Sequence, residues 1–441
     1  MTLETTTAEK TKSTAKHAFG ISKEILIPFI LVTSLFFMWG VANNLNDILI
    51  KQFKKSFLLS DLQTSLVQSA FYLGYFFMAM PAAALMKKFG YKTGIVIGLL
   101  FYALGAFLFY PAAQACVYGY FLTALFVLAC GLSFLETASN SYITVLGPAE
   151  SSERRLNLSQ AFNPIGAITG VIIGRTFIFS GIEKTTAQLN CMSDVARQTY
   201  LSTETRAVQM PYVVIGCVVL IWAIVILCVH FPKGREAEDK TAGQSQHKAS
   251  FRDLFKQKHF ILGVLAQFCY VGAQVGIWSF MIRYSQHNVP GTPEKVAADY
   301  LTLTLVLFMI GRFVGTALMK FFKPNNIMSV FSSINVILTL FGIFVGGHIG
   351  LWALIISSFF MSIMFPTIFA LSLKGLGENT KLGSSWLIMA IIGGAAFPAL
   401  MGLMSDLTGK INYGYVVPCL CFIYVFFYAS KLCKSGLSAG K

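Results

Sequence analysis

Two acidic residues lie where hydrocarbon is expected. Asp47 closes the apolar run LFFMWGVANNLND, and Glu136 lies inside FVLACGLSFLETASN. An ionised carboxylate is costly inside a bilayer, so an intramembrane acid marks a functional site unless a buried partner explains it. Amides accompany both: Asn43 and Asn44 precede Asp47, and Asn140 follows Glu136 by one helical turn. Trp39, Asn43 and Asp47 recur at four-residue spacing, so they share a helix face. Carboxylates and amides can satisfy hydroxyl groups, and an indole offers a flat apolar face to a ring. Glu136 has Phe134 and Leu135 as neighbours, and burial disfavours the charged form of a carboxyl. Such a group can take up a proton on one side of a membrane and release it on the other. The chemistry implied is proton-coupled carriage of a small polar solute. Two plainer readings stay open: Asp47 ends a helix at the interface, or Glu136 is a structural acid paired with a buried cation, for which Arg312 is the candidate.

The fifth apolar segment adds RLNLSQAFNP, with Gln160 and Asn163 three residues apart and Asn157 one turn earlier. Buried amides need partners, and helix–helix hydrogen bonds would serve as well as a ligand. The C-terminal half differs. Its spans carry no acid between Asp299, at the start of the eighth, and Asp406, and they offer Gln267, Gln274, Trp278, Phe308 and Phe365. A polar wall facing a largely apolar one suits a deoxy sugar, with hydroxyls on one face and hydrocarbon on the other.

The elements that position these residues are membrane helices. The chain has 441 residues, 55% hydrophobic and 12% charged, with mean hydropathy +0.66. A soluble domain carries roughly 25% charged residues. Twelve runs reach the length of about 20 residues that a span requires. They lie near 25–50, 57–85, 94–112, 119–145, 158–179, 211–231, 259–284, 299–320, 327–346, 351–373, 383–404 and 414–432. The net charge of +15 does not indicate a nucleic-acid partner. With both termini cytoplasmic, inside segments hold 23 Lys and Arg and outside segments 10, Arg312 being the remaining one. That is the positive-inside bias of a membrane protein.

Residues 1–24 read as a polar cytoplasmic tail, 25–231 as an N-terminal six-helix bundle, 232–258 as a cytoplasmic linker, 259–432 as a C-terminal six-helix bundle and 433–441 as a second short tail. The run SFRDLFKQKHF within and beyond the linker could lie on the membrane surface as an amphipathic helix or serve as a plain connection. ALMKKF at 84–89 recurs as ALMKFF at 317–322, at the same ends of the second and eighth spans. The repeat predicts an all-α polytopic protein of two six-helix bundles related by an axis along the membrane normal, the major facilitator architecture. There is no G-x-x-x-x-G-K-[ST] loop, so ATP is not the expected energy source. No metal-ligand spacing, cofactor motif or enzyme triad is evident. Cys116 and Cys191 fall on the same, outer side, where a disulfide is possible.

Several segments resemble the L-fucose:proton symporter family of the major facilitator superfamily: LFFMWGVANNLNDILI, QSAFYLGYF, LETASN, RLNLSQAFN, LAQFCYVGAQ, IGRFVGT, PTIF and IIGG. The resemblance runs from about Ile25 to Phe427. It implies that Asp47 and Glu136 couple protons to transport. It also implies that Trp39, Asn44, Asp47, Asn140, Gln160 and Asn163 line a polar face, and that Trp278, Phe308 and Phe365 line the apolar one. The general facilitator loop motif is degenerate here, with Lys87 at the usual Asp. Met364-Phe365 stands where the fucose carrier has Gln-Tyr, so glucose, galactose or N-acetylglucosamine are alternatives to L-fucose. The expected partners are a sugar, a proton and the lipid bilayer, and the expected state is a monomer in a bacterial inner membrane. Rival readings are a sugar uniporter, a membrane sensor and a drug exporter. The short tails argue against a sensor, and the amide-rich wall against a drug exporter.

Overall fold

Inside hydrocarbon no water satisfies backbone amides, so each crossing segment must close its own hydrogen bonds as a helix. The computed structural model describes residues 23–57, 59, 61–178, 188, 191–232 and 254–434, and it follows this rule. Among the described residues, twelve helical stretches are long and apolar enough to cross a membrane. Spans 1 to 6 are Ile25–Leu45, Ala70–Phe89, Tyr91–Ala115, Tyr118–Val145, Ala149–Ile178 and Asp194–Cys228. Spans 7 to 12 are Lys258–Asn288, Val296–Leu318, Pro324–Phe344, Gly347–Leu373, Thr380–Thr408 and Ile411–Ser430. The helix of span 1 continues past Asp47 to Phe57, so Asp47 does not terminate it. Its side chain lies outside the described residues. So do 1–22 and 233–253, which include the start of the run read as a surface helix. Beyond that run's masked part, Phe255 meets Trp386 edge-on with ring centroids 5.0 Å apart. Cys116 and Cys191 are separate thiols.

Small residues let the spans pack backbone to backbone, and the pattern repeats between halves. A Cβ on Gly166 would collide with the carbonyl of Phe37, and one on Gly40 with that of Asn163, which ties span 5 to span 1. A Cβ on Gly393 would collide with the carbonyl of Phe268, tying span 11 to span 7 in the same way. Gly74 of span 2 approaches the Phe126 carbonyl of span 4, and Gly311 of span 8 approaches the Phe359 carbonyl of span 10. The duplication suggested by ALMKKF and ALMKFF therefore extends to the packing.

Among the interrupted spans are 5, 10 and 11. Span 5 is split at Ala161, between Ser152–Gln160 and Phe162–Ile173. Span 10 is split between Gly347–Met361 and Met364–Leu373. Span 11 passes through a short 3-10 turn, Ala390–Ile392. The first two breaks have an evident cause. Proline has no N–H and clashes with the carbonyl four residues back. Pro164 thereby frees the carbonyl of Gln160, and Pro366 that of Ser362.

Candidate functional site: a cavity between the halves

A cavity of about 460 Å³ lies between the two halves. Its N-terminal wall is polar. Span 1 contributes Trp39, Asn43 and Asn44; span 4 contributes Glu136; span 5 contributes Gln160 and Asn163. The amides are partly committed to helix backbones. Asn44 Nδ2 donates to the Gly40 carbonyl at 3.3 Å, and Asn163 Nδ2 to the Phe36 carbonyl at 3.3 Å. Asn43 Oδ1 is buried with no hydrogen-bond partner. Gln160 Nε2 donates to Asn140 Oδ1 at 2.9 Å. Asn140 is fully buried and stands behind Gln160 rather than in the cavity wall.

Glu136 reaches the cavity although it is only 7% exposed. Tyr75 of span 2 stands beside its carboxyl, and the Tyr75 hydroxyl has no hydrogen bond of ordinary geometry. Arg312, the candidate cation, lines the same cavity and is 3% exposed. Among the described residues it forms no ion pair with Glu136. Its Nε donates to the Ser362 carbonyl at 2.7 Å, and its Nη1 to the Gln160 carbonyl at 2.8 Å and to Gln160 Oε1 at 3.4 Å. These are the two carbonyls that Pro366 and Pro164 free. One guanidinium thus closes the backbone gaps of two broken spans, one from each half. The planar fork of arginine makes such a double engagement possible.

The facing wall is mostly apolar. Trp278 meets Phe308 edge-on at 5.0 Å, and its indole Nε1 donates to Ser358 Oγ at 3.2 Å. The Arg312 guanidinium lies 4.6 Å from the centre of the Phe308 ring. Phe365 stacks on Phe369 at 6.3 Å. Val271, Val275, Leu301, Leu305 and Ile391 complete the apolar lining, with Gln274 and Ser279 as polar exceptions. The structure therefore brings Trp39, Asn44, Glu136, Gln160, Asn163, Trp278, Phe308, Arg312 and Phe365 around one space. Sequence reasoning missed the span 2 contribution, Phe71, Tyr72 and Tyr75. Their spacing at i, i+1 and i+4 within SAFYLGYF puts Phe71 and Tyr75 on one helix stripe, the signal that could have found them.

Below the cavity the halves meet on their lysine-rich side, the end that carries Lys87, Lys88, Lys374 and Lys381. Asn157 Nδ2 donates to Thr367 Oγ1 at 3.0 Å. Lys374 Nζ pairs with Glu153 Oε1 at 3.2 Å. Ser385 Oγ approaches Met80 Sδ at 3.1 Å. Together with Arg312 and Gln160, these contacts form a ladder across the seam.

A twelve-span helical bundle with an amphipathic cavity on its central seam defines a membrane carrier. The comparisons specify which kind. Residues 29–398 match the family model of the Major Facilitator Superfamily. The L-fucose-proton symporter of Escherichia coli strain K12 is 46% identical over 93% of this chain and 94% of its own length. A glucose/galactose transporter of Brucella abortus is 36% identical over 90% and 92%. The crystal structure of the facilitator transporter FucP in the outward conformation superposes with TM-score 0.85 at 45% identity, over 92% of this chain and 99% of that one. The chain belongs to the L-fucose:proton symporter family of the major facilitator superfamily.

Proposed function

We propose that this chain is a proton-coupled symporter that imports a hexose or deoxyhexose, most closely an L-fucose-like sugar. It works by alternating access between two bundles, residues 25–231 and 259–432. The observation that carries the reading is the cavity itself, with an amide-rich wall that holds the Glu136 carboxyl and an aromatic wall opposite. The relatives named above add to it: one is an L-fucose-proton symporter and another a glucose/galactose transporter. In the proposed cycle the lysine-rich side faces the cytoplasm of a bacterial inner membrane, as do both termini. The seam ladder is shut there, so the cavity is poised to receive sugar from outside. Asp47 and Glu136 take up protons, sugar binds between the walls, and the bundles rock. Sugar and proton then leave inward. The protein acts as a monomer and catalyses no covalent chemistry.

Glucose and galactose remain the second reading, favoured by the 36% identical relative. The test is external pH in lightly buffered, energy-depleted cells that express the protein. L-fucose, D-glucose, D-galactose and N-acetylglucosamine are added in turn. Alkalinisation with one sugar names the substrate and establishes symport. Entry of labelled sugar without a pH change would make the protein a uniporter.

A further inference from the structure

Three amides lie one turn below the cavity floor, and each carries a polar atom with no partner. Asn140 follows the cavity-lining Glu136 by one turn on span 4. Asn157 precedes Gln160 on span 5, and Gln267 precedes Val271 on span 7. All three are fully buried. Asn140 Nδ2, Asn157 Oδ1 and both polar atoms of Gln267 lack hydrogen bonds. A buried amide without partners is costly, and native structures hold few of them.

The positions are related. Gln267, Val271, Gln274 and Trp278 repeat at helical spacing, so Gln267 extends the lining face of span 7 by about 6 Å toward Lys258. On the same span, a Cβ on Gly263 would collide with Ser372 Oγ, and Tyr270 donates to the Met361 carbonyl at 3.0 Å. These contacts bracket Gln267 at the level of Thr367, the residue to which Asn157 donates across the seam. The two amides thus approach one level from opposite halves, in the direction in which the seam must open.

We propose that Asn140, Asn157 and Gln267 form a second sugar subsite on the exit path. It is closed while the seam ladder is shut, and it is filled by pyranose hydroxyls once the lysine-rich side opens. Each orphaned atom is then a hydrogen-bond position held in reserve for the departing ligand. The inference rests on the sugar-carrier reading, and its test keeps the two separable.

The experiment uses full-length protein in right-side-out and inside-out vesicles, with the sugar that wild type transports. Gln267→Met keeps the side-chain length and removes both polar atoms. It should raise the half-saturation for sugar at the cytoplasmic face about tenfold, the worth of one good hydrogen bond. The value at the outer face should stay within about twofold. Gln267→Asn, which keeps an amide, should recover part of the loss. A change of equal size at both faces, or at neither, overturns the subsite and leaves these amides as holders of structural water. Should Gln267→Met fail to assemble, Gln267→Cys replaces it. An impermeant thiol reagent should reach that cysteine from the cytoplasmic face above the wild-type background, and sugar should protect it. Labelling that sugar does not alter also overturns the subsite. Wild-type vesicles that move none of the four sugars would instead refute the carrier reading.

Discussion

Arg312 takes the carbonyl of Gln160 that Pro164 leaves without its helical donor, at 2.8 Å and across the seam between the two halves. The same guanidinium takes the carbonyl of Ser362, which Pro366 frees. A membrane protein has little water to satisfy a broken helix, and here one buried cation serves two breaks.

The energetic link between Arg312 and Pro164 is measurable. Arg312→Met leaves both carbonyls unpaired and should cost about 3 kcal/mol of stability. Pro164→Ala restores an N–H four residues after Gln160. Added to Arg312→Met, it should recover about 1 kcal/mol in a double-mutant cycle read by thermal unfolding in detergent. Strict additivity of the two substitutions would show that the Gln160 carbonyl needs no donor.

Glu136→Gln should keep sugar counterflow and lose uphill, proton-driven accumulation, since glutamine resembles the protonated acid and cannot release its proton. Counterflow and net uptake measured on the same vesicles separate the two steps. Accumulation at the wild-type level would remove Glu136 from proton coupling.

Asp47→Asn should abolish active uptake and leave the protein in the membrane at normal abundance. The helix that carries Asp47 continues to Phe57, so its removal does not unmake a helix end. Transport and membrane abundance, assayed side by side, distinguish lost coupling from lost folding.

Phe365→Tyr should shift preference toward L-fucose, because it restores to the apolar wall the hydroxyl that the resemblance gives the fucose carrier at this position. The ratio of L-fucose to D-galactose transport should rise by about tenfold or less, as expected for one added hydrogen bond. An unchanged ratio would place the variable hydroxyl against another part of the cavity.

Lys374→Met should loosen the ladder only slightly. Lys374 is 41% exposed where it pairs with the buried Glu153, and exposed ion pairs are worth up to about 1 kcal/mol. Uptake should change less than fivefold, and raised salt should narrow the difference between variant and wild type.

Much of this site could be read from spacing. The runs NNLND and RLNLSQAFN put amides on helix faces, and those faces line the cavity. Trp278 is legible from its four-residue spacing to Gln274 on span 7, whereas Phe308 shares span 8 with Tyr300 and Phe313 and rests on the family resemblance. Arg312 shows where such reading stops. A buried cation suggests a carboxylate, and Glu136 was the natural candidate, whereas the guanidinium is taken up by backbone oxygens. The sequence does reveal which carbonyls are free, because each lies four residues before a proline. It does not reveal that spans 5, 8 and 10 converge, which depends on helix packing across the seam. Asn140 illustrates the same limit. Its turn spacing from Glu136 puts it near the cavity face, yet Gln160 stands in front of it.

Trp39 and Trp278 line the cavity from opposite halves, and they are two of only five tryptophans in the chain. Of the others, Trp222, Trp352 and Trp386 do not line it. The protein therefore contains its own optical gauge. On the proposed function, sugar entering the cavity should change the surroundings of both chromophores at once, so that intrinsic emission reports occupancy without any attached dye.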